Sequence, residues 1–298
     1  MAIVQSLMLA AAGFVIGESM DWDPRSFHVL YPALAAVGIL GNSIYRKVRL
    51  RGQRRLARSE LAGRSGATFT LAPWSLAAAL ARAMHDVWRV LADDRLYRAF
   101  MLWMFVFGLG NLMFMAPLAL VLNDEFKVGY FEGILINTVI PLVIIPFAIP
   151  LWARLMHRSH IIEFRALHGW TFVAGSIAMW LASQLHAFWL FHVSAAILGV
   201  AYAGGMLAWN LGHHDFAPAH KDAQYMAAHV TLNGLRGLLA PVLSYTLYEW
   251  LKARGQVPLV FLICVLVNIV GVLGFMSMRR QLRRSRAAAA ETEAAPAE

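Results

Sequence analysis

The stretch GYFEGILINTVIPLVIIPFAIPLWARLMHR, residues 129–158, decides the fold. Residues 129–152 carry a single charge, Glu132, and are otherwise almost wholly apolar. A helix needs roughly 20 such residues to cross the hydrocarbon core of a bilayer. Pro141, Pro146 and Pro150 fall inside the run. Within a membrane, neighbouring helices can satisfy the backbone groups that prolines free, so the prolines predict kinks rather than a break. Arg154 and Arg158 follow at once. An apolar span that ends in a short basic loop is both a membrane crossing and a signal of its direction.

The same alternation runs through the chain. Apolar segments fall at about 2–18, 28–45, 98–122, 129–152, 169–185, 187–211, 225–248 and 257–278. Hydrophobic residues make up 59% of the chain and charged residues 14%. A soluble domain carries about a quarter charged residues, so an all-α polytopic transmembrane bundle of about eight spans is expected. The net charge of +9 sits in the loops, where it serves topology and lipid headgroups, and nucleic acid is not expected as a partner. Cys264 is the single cysteine, which excludes an intrachain disulfide.

Lysine and arginine set the orientation. One alternating set of loops holds the cluster Arg46 to Arg64, Arg82, Arg89, Arg95 and Arg98, then Arg154, Arg158, Arg165, Lys221 and the run Arg279 to Arg286. The other set holds only Arg25, Lys127, Lys252 and Arg254. The bias places both termini in the cytoplasm, with a bacterial inner membrane as the expected location. Residues 1–45 then form two spans and 46–97 a cytoplasmic linker. Residues 98–280 form six more spans and 281–298 a disordered tail. Within the linker, Leu76, Leu80, Met84, Val87 and Leu91 have helical spacing after Pro73, which predicts an amphipathic helix lying at the membrane surface.

A long basic linker before six final spans resembles the major facilitator superfamily of secondary transporters. There, two six-helix halves are joined in this way, and a Gly-x-x-x-Asp-Arg signature marks the loop between the second and third spans of each half. Ala153-Arg154-Leu155-Met156-His157-Arg158 stands at the matching loop and keeps the leucine and the last arginine, with Ala153 for glycine and His157 for aspartate. The resemblance covers residues 1 to about 280, as two helices of the first half and the whole second half. It implies four spans missing from the start, and truncation upstream of Met1 is the expectation. It also implies alternating access to a small solute bound near the midplane, and it makes Arg154 and Arg158 part of a cytoplasmic gating loop.

Arg236 is the sharpest chemical feature. It lies inside the seventh apolar segment, where an arginine costs ~2.5–3.5 kcal/mol to insert and so must face the bundle interior. His229, Asn233 and Arg236 stand at i, i+4 and i+7, on one helix face suited to an anionic or polar solute group. The structural alternative is that Arg236 caps carbonyls of a neighbouring helix. Asn111, beside Gly108 and Gly110, is a further solute contact, with His192 and Tyr202 as additional cavity-lining residues. Glu132, followed by Asn137 and Thr138, is the candidate proton carrier, or else an interfacial charge at a helix start. Ala195, Gly199 and Ala203 form a small-residue row for close helix packing.

The expected activity is thus secondary transport, with a small solute, the bilayer and a proton gradient as partners. No enzyme activity, cofactor or metal is expected. A non-transporting membrane scaffold is the alternative. A membrane metalloenzyme using His157, His160, His168, His213, His214 and His220 is the third, although these spacings do not match the histidine boxes of di-iron desaturases.

Overall fold

The computed structural model describes residues 2–45, 73–218 and 221–294. The basic run 46–72, His220 and residues 295–298 lie outside the described residues. The apolar segments are helices, and no strand occurs among the described residues. Helices α1 (Ala2–Trp22) and α2 (Phe27–Tyr45) are joined by a 3-10 turn at Pro24–Ser26. There follow α3 (Pro73–Asp93), α4 (Arg95–Met113), α5 (Met115–Asp124), α6 (Tyr130–Ile134) and α7 (Ile140–Met156). The bundle is completed by α8 (Ile161–Gln184), α9 (Trp189–Leu211), α10 (Asp222–Lys252) and α11 (Leu259–Ala294).

Among the described residues, α1, α2, α4–α5, α6–α7, α9 and α11 are long and apolar enough to cross a membrane. The other two of the eight expected spans are α8, of 24 residues, and α10, of 31 residues. Arg165, His168, His229 and Arg236 turn inward, which lowers the hydropathy of these helices without exposing those groups to lipid. This also corrects the expected start of the fifth segment, 169. Glu163, Arg165 and His168 interrupt the apolar run, yet the helix begins at Ile161, capped by the His160 side chain accepting from the Ile162 N–H. The chain from 281 to 294, expected as disordered, continues α11 instead. Its Ala, Arg and Glu residues are strong helix formers, and Arg283 bonds Glu163 at 3.0 Å.

Prolines shape two of the spans. Pro117 has no N–H to give, and its ring crowds the Met113 carbonyl, so the third span breaks at Phe114 between α4 and α5. Pro141 likewise leaves the Asn137 carbonyl without its helical donor. The chain answers with a π-helical turn at Leu135–Val139 that joins α6 to α7.

In lipid, helices associate through packing and interhelical hydrogen bonds rather than by escape from water. The expected small-residue row does this: a Cβ on Gly199 would come within 2.8 Å of the Pro141 carbonyl, so α9 and α7 approach backbone to backbone only with glycine there. α9 also packs on α8, α11 on α8 and α4, and α10 on α4. Phe107 meets Phe172 and Phe275 edge-on where α4, α8 and α11 converge. α10 is tied to the α4–α5 span at both ends. At one, Tyr97 donates to the Tyr225 carbonyl at 2.7 Å and Tyr225 to Asp94 at 2.9 Å. At the other, Tyr248 and Lys252 both reach Asp124.

α1 joins this bundle along α6 and α7. The Asp21 carboxylate accepts from the Tyr130 and Phe131 N–H groups at 2.6 and 2.9 Å, capping α6, and Phe14 meets Phe131 edge-on. α2 buries none of its described side chains within the bundle. α3 packs against α10 through its inner face, with Val87 and Val90 buried while Met84 is exposed.

Candidate solute cavity

A cavity of about 270 Å³ opens between α4, the start of α5, the π-helical turn, α8, α9 and α10. Its polar lining is Asn111, Asn137, Arg165, Tyr202 and Arg236, and its apolar walls include Phe107, Phe172 and Trp209. Two of the four expected solute contacts, Arg236 and Asn111, face it directly. Asn233 and His229 stand behind them.

Arg236 lies about 21 Å along α10 from Asp222, at 1.5 Å per residue, close to the middle of that helix. Its guanidinium enters a space that only glycine leaves open, since a Cβ on Gly108 would fall 1.8 Å from Nη1. Nη1 donates to the Met104 carbonyl at 2.7 Å, while Nε and Nη2 both donate to Asn233 Oδ1, at 2.9 and 2.5 Å. Asn233 is therefore the residue that orients Arg236. The carbonyl-capping role weighed for Arg236 is real, and the same side chain still lines the cavity.

His229 is buried, with its ring edge-on to Trp209 at 4.2 Å and neither nitrogen bonded among the described residues. It supports the cavity wall from behind. The Oδ1 of Asn111 has no donor partner among the described residues.

Arg165 is the residue that sequence reasoning misplaced. It was counted as a loop cation, but it belongs to α8, is only 4% exposed, and lines the cavity opposite the Arg236 helix. Its signal was present: Arg165, His168 and Phe172 are spaced i, i+3 and i+7, so one face of a helix carries all three inward. His168 Nε2 donates to the Ala201 carbonyl at 2.7 Å, and the absence of a side chain on Gly204 makes room for its ring. Asn137 reaches the cavity from the π-helical turn, where the widened backbone aims it, and Tyr202 comes from α9.

Glu132 lies away from the cavity. Its Oε1 is 2.7 Å from His192 Nε2, and both side chains are about one-third exposed. His192, weighed as a lining residue, is thus the partner of Glu132. Arg154 and Arg158 are exposed, beside the short loop from α7 to α8.

A sequence profile of the Major Facilitator Superfamily matches residues 1–241, most of the chain. The chain belongs to this superfamily. It is therefore an integral, multi-pass membrane transporter, in a family whose members move small solutes and are not enzymes. No curated protein and no solved structure matches the chain.

Of the histidines weighed as metal ligands, His213 and His214 converge on Asp222 Oδ1 at 3.2 and 2.8 Å. The three ligand atoms lie within 4.8 Å of one another, the spacing at which a divalent cation can be held. His160 is engaged differently, 3.9 Å from Asp215, whose carboxylate caps the Ile161 N–H. His168 is committed to a helix-to-helix bond.

Proposed function

We propose that this superfamily member moves its solute by alternating access through the cavity between α4, α8, α9 and α10. Arg236, held by Asn233 and seated at Gly108, and Asn111 contact the solute directly. Arg165, Asn137 and Tyr202 complete the site. The observation that carries this is the position of Arg236: a charged side chain midway along a membrane helix, costly to place there, opens onto a cavity of solute size.

Coupling to protons is assigned to Glu132 with His192, a carboxylate and an imidazole in direct contact at the α6 and α9 ends. The basic loops face the cytoplasm in this reading, so Arg154 and Arg158 flank the cytoplasmic mouth. Helices α4 to α11 act as the six-span half, against which α1 and α2 represent the other half.

The test is uptake and efflux by the chain reconstituted in proteoliposomes, with and without an imposed proton gradient. Transport that is lost in Arg236→Gln, while insertion and thermal stability persist, supports the proposal. Transport that is unaffected by Arg236→Gln removes the cavity as the solute path.

A further inference from the structure

We infer that the solute is a small oxyanion, held by its charged group between Arg165 and Arg236 with its body against the aromatic wall of the cavity. This rests on the transport role proposed for the same cavity and names the class of solute it takes.

The physical basis is an imbalance of charge. Guanidinium groups remain protonated in proteins. Two of them, from α8 and α10, line one cavity and repel one another, and no carboxylate lines it among the described residues. The hydrogen bonds of Arg236 go to an amide oxygen and a carbonyl, which fix its direction and leave its charge uncancelled. Arg165 has less still: it is 4% exposed, its occluded Nε has no partner, and no hydrogen bond or ion pair reaches it among the described residues.

Glu163 of α8, Asp215 beside the first turn of α8 and Asp222 at the start of α10 are engaged elsewhere. Glu163 bonds Arg283, Asp215 caps Ile161, and Asp222 takes both His213 and His214. An unpaired buried charge is among the most costly groups a fold can hold, and removing a partner from such a pair is correspondingly damaging. In a binding protein, a ligand of opposite sign cancels that cost.

Carboxylates and phosphates accept the paired N–H donors of arginine in bidentate fashion. The remaining lining, with Phe107, Phe172, Tyr202 and Trp209, suits a flat or partly apolar body. At about 270 Å³ the cavity lies near the lower end of the range for small-ligand sites, which suits a single-ring or short-chain acid.

The experiment is binding to the purified full chain in lipid nanodiscs by equilibrium dialysis. The oxyanion probes are benzoate, phthalate and phenyl phosphate, set against benzamide and benzylammonium. At least one oxyanion is expected to bind roughly tenfold or more tighter than both the neutral and the cationic probe. Arg165→Gln and Arg236→Gln should each weaken it by roughly 10- to 100-fold, the worth of a charged hydrogen bond, and Arg165→Lys should recover part of the loss.

Comparison of the probes on the unaltered protein already tests charge selectivity without any variant. Equal or tighter binding of benzamide or benzylammonium overturns the inference. So does the failure of all three oxyanions to bind, or oxyanion binding that is unchanged by Arg165→Gln. Uptake of the same probes into proteoliposomes separates the two proposals. Selective oxyanion binding without uptake sinks the transport role and keeps the anion site. Uptake of benzamide in preference to the oxyanions does the reverse.

Discussion

Gly108→Ala places one methyl group where Arg236 now lies. The added Cβ would stand 1.8 Å from Nη1, 2.2 Å from Cζ and 2.7 Å from Nε. Ordinary contact begins near 3.4 Å, so the guanidinium must retreat by roughly 1.5 Å or more. The bond from Nη1 to the Met104 carbonyl, now 2.7 Å, does not survive that movement. A hydrogen bond to a charged group is worth about 1.5–3 kcal/mol, which corresponds to roughly 10- to 100-fold in affinity wherever the ligand depends on that seat.

The fold itself should tolerate the change. Arginine is a flexible side chain, and alanine is better than glycine inside a helix by about 1 kcal/mol. The expected result is a well-inserted protein with a nearly unchanged thermal midpoint and a large loss of benzoate or phthalate affinity by equilibrium dialysis. Gly237→Ala is the control, since a Cβ there meets nothing within 4 Å although it neighbours Arg236 in sequence. The double variant Gly108→Ala with Arg236→Gln should bind no more weakly than Arg236→Gln alone, because both remove the same interaction. Undiminished affinity in Gly108→Ala, or full additivity in the double variant, would refute the seat as the reason Arg236 reaches the solute.

Glu132→Gln should abolish stimulation of uptake by a proton gradient while leaving solute exchange without a gradient intact; persistent stimulation would make the bond to His192 structural only. Pro141→Ala restores the N–H that the Asn137 carbonyl lacks, so the π-helical turn should relax towards an ordinary helix and draw Asn137 out of the cavity. Solute affinity should fall in that variant, and unaltered affinity would show that Asn137 is not in use. Asp21→Ala removes the cap of α6 and should lower stability by about 1 kcal/mol, read as a reduced thermal midpoint and faster proteolysis of α1. Gly204→Val should cost more, since the ring of His168 occupies that space and its bond to Ala201 would break; its readout is the thermal midpoint.

What could be read from the sequence divides along a physical line. Hydropathy reports whether a segment prefers lipid or water, so α1, α2, α4–α5, α6–α7, α9 and α11 were legible as apolar runs. It says nothing about which way a polar residue faces. α8 was therefore started too late, because Glu163, Arg165 and His168 look alike to hydropathy although Glu163 faces outward to Arg283 while the other two are buried. The same blindness hid half of the charge in the cavity. Arg236 stood out because no Asp, Glu, Lys or Arg lies within twelve residues of it on either side. Arg165 lies one turn inside a helix end, next to true loop cations, and helical periodicity alone distinguishes it. The roles of Asn233 and Gly108 depend on a contact between helices far apart in sequence, which no local pattern encodes.

The placement of Arg165 changes which solute the proposed site would select. A single arginine bonded to an amide and a carbonyl can act as a helix-to-helix clasp, and a neutral solute with a carbonyl group would suit it as well as an acid. A second guanidinium on a different helix, unbonded among the described residues, argues for the acid, because no rearrangement of neutral acceptors cancels two like charges. Under the oxyanion assignment proposed above, the pair also links solute binding to movement. α8 and α10 each carry one of the repelling cations, so an anion between them draws the two helices together, and its release lets them separate. In that proposal solute charge is the term that differs between the open and closed arrangements, which a ligand must supply if it is to shift the balance between them.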